Sequence, residues 1–441
     1  MSRLKLAGSP ELGRKIQSLR LARTMTQIEL AKGICTPSMI SQIESGRAFP
    51  SYKVLSKIAE KLNVPIVDLT EGLFDDVALN VKVKTLKVLI ESKQYQDGVK
   101  MAESILSGLR KSSYLVHEIK LSLSECLLWS GQLERAIEVL GELEQSNEHL
   151  NPQEKAKIYN LMGTAYFKKS DLLKAHSYYQ LAYESTQKLE HEDIVTAKIL
   201  YNLGLTYEWM DHLEDSAKYY SEAERIFKNS ANSKRELANV FYAKAITLSK
   251  QEQLEKADEY LNMALSLYQS ENYYDLVLKS REAHAYVVLS KKDPEKAKQV
   301  LLQCCRTYQE AGDTENLIYA YAKLAFICLE NGKTTEADYY VQYIQSAMER
   351  DPTITKVDLR FGFIFRVFAQ VAYETKNYLD AIKNANNSVS IFDTMGLRGE
   401  TAKSLRYVLD SEIQLKRTES ALKTSKRLAR VLNLGREVEL L

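Results

Sequence analysis

Pro37, Ser38, Met39, Ser41 and Gln42 fall on one face of a short helix, and that face is small and polar where a solvated helix normally carries Lys and Glu. Hydroxyls and amides donate and accept hydrogen bonds without charge, which is the chemistry needed to read base edges in a DNA groove. Ile40 and Ile43 turn the other way, into a core. Thr36-Pro37 open this helix as an N-cap and a first-turn proline, Gly46 ends it, and Pro50 forbids continuation. Just before it, Thr26 and Glu29 form a capping box for a helix that begins at Gln27 and stops near Gly33. Ser9-Pro10-Glu11 cap a preceding helix with Leu12, Ile16 and Leu19 at i, i+4, i+7. Ser51 caps a following one with Val54, Leu55, Ile58 and Leu62, and Pro65 begins a short fifth.

Over residues 10–71 this arrangement resembles the Xre or λ-repressor-like helix-turn-helix family, through LGRKIQSLR, TQIELA and the S-x-IE-x-G stretch. The resemblance implies a five-helix DNA-binding domain over residues 1–72. It also implies that Gln27, Thr36, Pro37, Ser38, Met39, Ser41, Gln42 and Arg47 face DNA, and that Arg20 and Glu44 form an inward ion pair. Between Leu30-Ala31 and Ile40 the chain is one residue shorter than in phage repressors, which blurs the assignment of individual base contacts. Charge agrees with a DNA partner. Residues 1–72 hold 11 Lys and Arg against 6 Asp and Glu, while the rest holds 49 against 52. Basic excess therefore sits where phosphates would be neutralised.

With only 17 Gly and 7 Pro in 441 residues, and no clusters of alternating β-branched residues, the chain reads as all-α. No apolar run approaches the ~18 residues of a membrane span, and no signal-like segment opens the sequence. The five cysteines are scattered and odd in number, as expected of reduced thiols in cytoplasm. The six histidines share no ligand spacing, and phosphate-loop and nucleophile-elbow motifs are absent, so neither a metal, a cofactor nor a catalytic site is expected.

After a linker at 73–80 the sequence repeats. YNLMGTAYFKKSDLLKAHSYYQLA (159–182) and YNLGLTYEWMDHLEDSAKYYSEA (201–223) both place G-x-x-Y in a first helix, then a small residue, Tyr and Ala in a second. Small residues let two helices cross closely, and aromatics fill the wedge. The small residue recurs at Gly98, Ala136, Ala175, Ser216, Ala257, Ala297, Ala337, Ala381 and Ala421, at intervals of 38 to 44. Residues 81–441 are thus expected to form about nine helical hairpins stacked as a solenoid. By period alone HEAT or armadillo repeats compete, but the Gly/Ala–Tyr–Ala pattern resembles the tetratricopeptide repeat, which implies a right-handed superhelix.

A helix-turn-helix followed by this solenoid resembles the Rap–NprR–PlcR–PrgX family of peptide-responsive quorum-sensing regulators, NprR-like members above all. The likeness is carried by residues 33–51 and by YNLGLTY at 201–207. It implies a cytoplasmic, dimeric transcription regulator that binds double-stranded DNA at a palindromic operator. A short signalling peptide on the concave face of the solenoid would switch it. Counting the first-helix Gly or Ala as repeat position 8, positions 2, 5, 6, 9, 12 and 13 face inward. The peptide-binding candidates are then Asn160, Lys198, Tyr201, Asn202, Asn239, Tyr242, Lys279 and Arg366. Asn202 stands out, because an amide holds a peptide backbone as donor and acceptor together. Inward positions of hairpins 3 to 8 carry Lys157, Lys168, Lys198, Lys250, Lys279, Lys323 and Arg366 against Glu208, Glu282, Glu330 and Glu374, which points to an acidic or carboxylate-ended ligand. The rival reading is a Rap-like scaffold that sequesters a response regulator. A constitutive repressor with a purely structural solenoid is a third.

Overall fold

The computed structural model describes residues 10–433 except 67–68, 70–72, 109–114, 146–149, 190, 231–232, 352–353 and 355–357. These residues form two compact units, Met1–Gly131 and Gln132–Leu441, and their regular structure is entirely helical. The expected cap at Ser9 lies outside the described residues.

In the first unit, α1 (Pro10–Ala22), α2 (Gln27–Ala31), α3 (Pro37–Glu44) and α4 (Tyr52–Lys61) are laid out as their caps dictate. Thr26 and Glu29 close the capping box, Thr36 accepts the Met39 N–H ahead of Pro37, and Ser51 accepts the Val54 N–H. Gly33 (φ +79°) and Gly46 (φ +70°) supply the left-handed residues after α2 and α3. Leu12, Ile16, Leu30, Ile40, Ile43, Leu55, Ile58, Leu62 and Leu69 share one core. Each fully buried Ile or Leu there contributes roughly 1.5–3 kcal/mol. Of the expected fifth helix, Ile66 and Leu69 are described, and both belong to this core. α1 crosses the end of α3 at Gly13, where an added Cβ would lie 2.4 Å from the Ile43 carbonyl oxygen.

Residues 73–80, expected as a linker, are instead the start of one helix, Leu73–Glu91. That stretch holds no Pro or Gly, so nothing in it interrupts the helix. With Tyr95–Gly108 it makes the first hairpin, and Leu115–Trp129 opens the second.

The second unit begins with Leu133–Gln145 and continues through seven hairpins. These are Pro152–Lys168 with Leu172–Thr186, Ile194–Trp209 with Leu213–Lys228, and Lys234–Lys250 with Leu254–Ser270. Then come Tyr274–His284, extended through a π turn at Ala285–Leu289, with Pro294–Glu310, and Thr314–Glu330 with Thr334–Arg350. Leu359–Glu374 with Tyr378–Thr394 and Arg398–Gln414 with Thr418–Asn433 complete the series. With the first hairpin, and with Leu115–Trp129 and Leu133–Gln145 as the two helices of the second repeat, the order of elements follows the nine-repeat periodicity. The eight small residues from Ala136 onwards split cleanly: all are buried in second helices, from 0% exposure at Ala136 to 9% at the terminal Ala421.

Glycine sets how closely the helices of a hairpin meet. A Cβ on Gly163 would sit 2.5 Å from the Tyr179 ring, and one on Gly204 would sit 2.7 Å from the Tyr220 ring. The turn between the helices places one residue in the left-handed region in most hairpins, among them Ser170, Asp211 and Glu252. Gly204→Ala is therefore expected to destabilise the fold by about 1–3 kcal/mol through overpacking. Gly141→Ala, at a helical site with nothing within 4 Å of an added Cβ, is expected to stabilise it by about 0.5–1 kcal/mol. Thermal unfolding followed by circular dichroism separates the two, and shifts of the same sign would remove the crossing as the constraint.

Candidate DNA-reading face and inner groove

The reading face is mounted on a buried ion pair. The Glu44 carboxylate accepts Arg20 Nε at 2.6 Å and Nη2 at 2.9 Å, while Arg20 Nη1 donates to the Met25 carbonyl at 2.6 Å. The hydrogen bonds that Arg20 donates to Glu44 outweigh the burial of its charge and raise the Arg20 pKa further. Gln27 Nε2 donates to Glu44 Oε2 at 2.8 Å. The side chain expected to face DNA is thus turned inward, and Gln27 joins α2 to α3 instead. The reason is local: Gln27 is the first residue of α2, within reach of a carboxylate whose second oxygen has room for another donor.

Met39 is half-buried and packs in part against the core that holds Ile40. Pro37, Ser38 and Gln42 are exposed, and Ser41 is half-buried. Thr36 is exposed, but its hydroxyl is occupied as the N-cap. Arg47 is exposed with Nε on the Ser45 hydroxyl at 3.0 Å. The groups left for a base edge are therefore Ser38, Ser41 and Gln42, with Arg47 beside them as a cation.

On the inner face of the solenoid, the side chains that meet are one repeat apart. Asn202 Nδ2 donates to Asn160 Oδ1 at 2.8 Å, so the two asparagines come together although the register set Asn160 one position off. Asn239 accepts the Tyr268 hydroxyl at 2.6 Å. Tyr201 and Tyr242 are half-buried, and desolvation pushes each hydroxyl pKa up to about 12. Lys279 is exposed.

The cationic excess does not stand as a free field. Lys250 pairs with Glu208 at 3.0 Å, Lys323 with Glu282 at 2.8 Å and Lys198 with Glu236 at 3.8 Å, and Arg366 pairs with Glu400. Glu236 and Glu400 come from neighbouring hairpins and escaped the sequence count. Burial opposes ionisation of Glu400, yet Arg366 and Lys403 overcome it and hold its pKa at about 2. With four of the seven inward cations paired, the argument for an acidic ligand loses most of its charge basis.

Four inward aromatic residues were not singled out in the sequence: Tyr286, Tyr319, Phe326 and Phe363. Their ring centroids lie 5.7–6.0 Å apart in the pairs Tyr286–Phe326, Tyr286–Phe363, Tyr319–Phe363 and Phe326–Phe363. They occupy repeat positions 2 and 9 of hairpins 6 to 8, so the register carried the signal. Among the described residues there is no cluster of potential metal ligands, and no helix is long and apolar enough to cross a membrane.

Residues 82–361 match the family model for the MalT-like TPR region, and residues 16–69 match a helix-turn-helix model. The chain is 23% identical over 380 residues to the transcriptional activator NprA of Geobacillus stearothermophilus, covering 82% of this chain and 77% of that protein. The fold is similar to that of a Rap protein complexed with competence and sporulation factor (TM-score 0.63, 16% identity, 82% of this chain and 99% of that one). It is also similar to the apo form of the quorum sensor NprR from B. thuringiensis (TM-score 0.57, 14% identity, 82% and 100%).

The reassignment of Gln27 has a measurable consequence. Gln27→Ala is expected to lower the stability of the N-terminal domain by about 1–2 kcal/mol, since it removes a hydrogen bond to a buried carboxylate. Base preference should stay unchanged. Denaturant unfolding and binding to randomised DNA duplexes read the two effects, and an altered base preference at full stability would restore Gln27 to the DNA face.

Proposed function

The chain belongs to the MalT-like TPR region family and carries a helix-turn-helix ahead of the repeats, the combination found in Rap–NprR–PlcR–PrgX regulators, and on that premise we propose that it is a transcription regulator switched by a short peptide in the inner groove. It acts by recognition, not catalysis. The observation that supports the switch best is the Asn160–Asn202 pair. Two amides from adjacent hairpins hold each other through one hydrogen bond, which leaves Asn202 its second N–H and its Oδ1, and Asn160 its NH2 group, for an extended backbone. The Rap relative solved with competence and sporulation factor supports the same reading by analogy.

A single small reading helix makes too few contacts for tight specific binding, so the regulator works as a dimer on a palindromic operator. Its half-sites lie a multiple of about 34–36 Å apart. A peptide shifts DNA binding only by the difference of its affinities for two arrangements of the solenoid. In this reading Lys198, Tyr201, Asn202, Asn239 and Tyr242 line the peptide path, while Arg366 and its Glu400 partner hold hairpins 8 and 9 together.

Ser38→Ala combined with Gln42→Ala is expected to weaken binding to an operator selected from random duplexes by about 1–3 kcal/mol per lost base contact. Binding to unselected DNA should change little. Fluorescence anisotropy at fixed salt measures both, and equal losses would show that α3 does not read bases. For the switch, a mixture of randomised synthetic hexapeptides should change operator affinity of the natural chain and leave that of Asn202→Ala unchanged. No response of the natural chain would reject peptide control.

A further inference from the structure

The inner face changes character between its two halves. In hairpins 3 to 5 the inner contacts named above join neighbouring hairpins: Asn160 to Asn202, Lys198 to Glu236, Glu208 to Lys250. In hairpins 6 to 8 neighbours also meet, but one contact skips a repeat. Tyr286 of hairpin 6 lies 5.8 Å, centroid to centroid, from Phe363 of hairpin 8, with Phe326 and Tyr319 of hairpin 7 against the same Phe363 ring. Packed helices sit about 8–10 Å apart, so first helices two repeats apart meet here only through long aromatic side chains.

The backbone gives a cause. Pro294 disfavours helical geometry at Asp293, which is extended (φ −152°), and no residue of this turn takes the left-handed conformation that closes most other hairpins. The first helix of hairpin 6 runs on through the π turn Ala285–Leu289, and Tyr286 sits in that turn. A π turn adds a residue per turn and re-aims the side chains it carries.

The rim of the ring cluster is charged but neutralised. Lys323 lies 4.2 Å from the Tyr319 ring centroid and 5.5 Å from that of Tyr286, and its charge is met by Glu282, which also accepts the Tyr308 hydroxyl at 2.7 Å. Arg366 lies 5.7 Å from the Phe363 centroid and is met by Glu400. Tyr286, Tyr319 and Phe326 are only half-buried, so part of their ring surface is left uncovered.

We propose that Tyr286, Tyr319, Phe326 and Phe363 form the blind end of the ligand groove, a stop that receives an apolar or aromatic terminal residue of the peptide and makes binding end-on. This rests on the reading of the groove as a peptide site. One terminus meets the stop, and the other lies toward hairpin 3. Ring faces favour an apolar or aromatic end residue, through offset or edge contacts. The two cations that touch the rings, Lys323 and Arg366, are already paired with Glu282 and Glu400.

The test uses the full chain and randomised synthetic hexapeptides in three sets: untagged, tagged with fluorescein at the N-terminus, and tagged at the C-terminus. Bound peptides are recovered after gel filtration and sequenced by mass spectrometry. The natural chain should retain the untagged set and one tagged set, with the other reduced at least about tenfold, a change of ~1.4 kcal/mol. The blocked end should be enriched in aromatic and large apolar residues. Tyr286→Ala and Phe326→Ala, both at half-buried sites, should admit the excluded set, while Tyr286→Phe, which keeps the ring, should not. Circular dichroism checks that each variant is folded, and Phe326→Ala serves if Tyr286→Ala is not. Equal retention of both tagged sets by the natural chain would overturn the stop, as would folded alanine variants that still exclude one set. If not even untagged peptides are retained, the peptide reading itself fails, an outcome distinct from either.

Discussion

The solenoid depends on the close approach of the two helices in a hairpin, tightest where an aromatic ring of the second helix lies on a bare glycine of the first, at Gly163, Gly204 and Gly362. At Gly163–Tyr179 and Gly204–Tyr220 the space for a Cβ is already filled by ring carbons. That contact fixes the spacing and rotation of the two helices together, because a ring wedged on a backbone leaves little room for either helix to roll. Once the rotation is fixed, the inward positions follow. Side chains one repeat apart then face each other, as Glu208 faces Lys250 and Glu282 faces Lys323. Every statement about the groove descends from this crossing, including which side chains can touch a ligand.

The DNA-binding domain solves a different problem, that of holding a five-residue helix and an eight-residue helix in a fixed relation. α2 is too short to be stable on its own. Its position is set by the capping box at Thr26 and by hydrogen bonds converging on Glu44 from Arg20 and Gln27. A buried ion pair is weak support for stability, since desolvation offsets most of the attraction. Its use here is geometric. Glu44 belongs to α3, Arg20 to α1 and Gln27 to α2, so one carboxylate ties three helices, and Gly13 lets α1 lie directly on the last turn of α3. The polar face of Ser38 and Gln42 is presented by a frame that other residues determine.

Much of this was legible in the residues. The caps at Thr26, Thr36 and Ser51 gave helix starts that the structure reproduces, because a cap is a local interaction complete within four residues. The small residue at intervals of 38 to 44 located all nine second helices, because burial of a crossing point leaves no alternative to a small side chain. What failed was whatever depended on a partner distant in sequence. Gln27 looks outward on a helical wheel, and only the position of Glu44, 17 residues on, turns it in. The count of inward cations missed Glu236 and Glu400 for the same reason. The stretch at 73–80 was read as a linker from weak patterning, although nothing in it breaks a helix. Tyr286 and Phe363 were on inward positions all along, but a repeat register describes neighbours, and their contact skips a repeat.

The neutralised inner face bears on how such a groove could work as a switch. A surface of unpaired cations would attract any anionic molecule, whereas cations tied to acids on neighbouring hairpins offer little unspecific attraction. The same pairs link hairpin to hairpin: Lys198 to Glu236, Glu208 to Lys250, Glu282 to Lys323, Arg366 to Glu400. The partly exposed pairs among these contribute at most about 1 kcal/mol each, and in the buried Glu282–Lys323 pair desolvation offsets most of the attraction, so they bias the stacking of hairpins without locking it. A ligand lying across several hairpins contacts all these junctions at once. It would need only modest preference at each for the summed difference to move the solenoid from one arrangement to another, since coupling free energies of about 1–3 kcal/mol suffice for a 5- to 150-fold change in affinity elsewhere. The weakness of the individual links is then what makes the inner face responsive, while a close helix crossing, as at Gly163 and Gly204, keeps the hairpin that holds it rigid as the links between hairpins adjust.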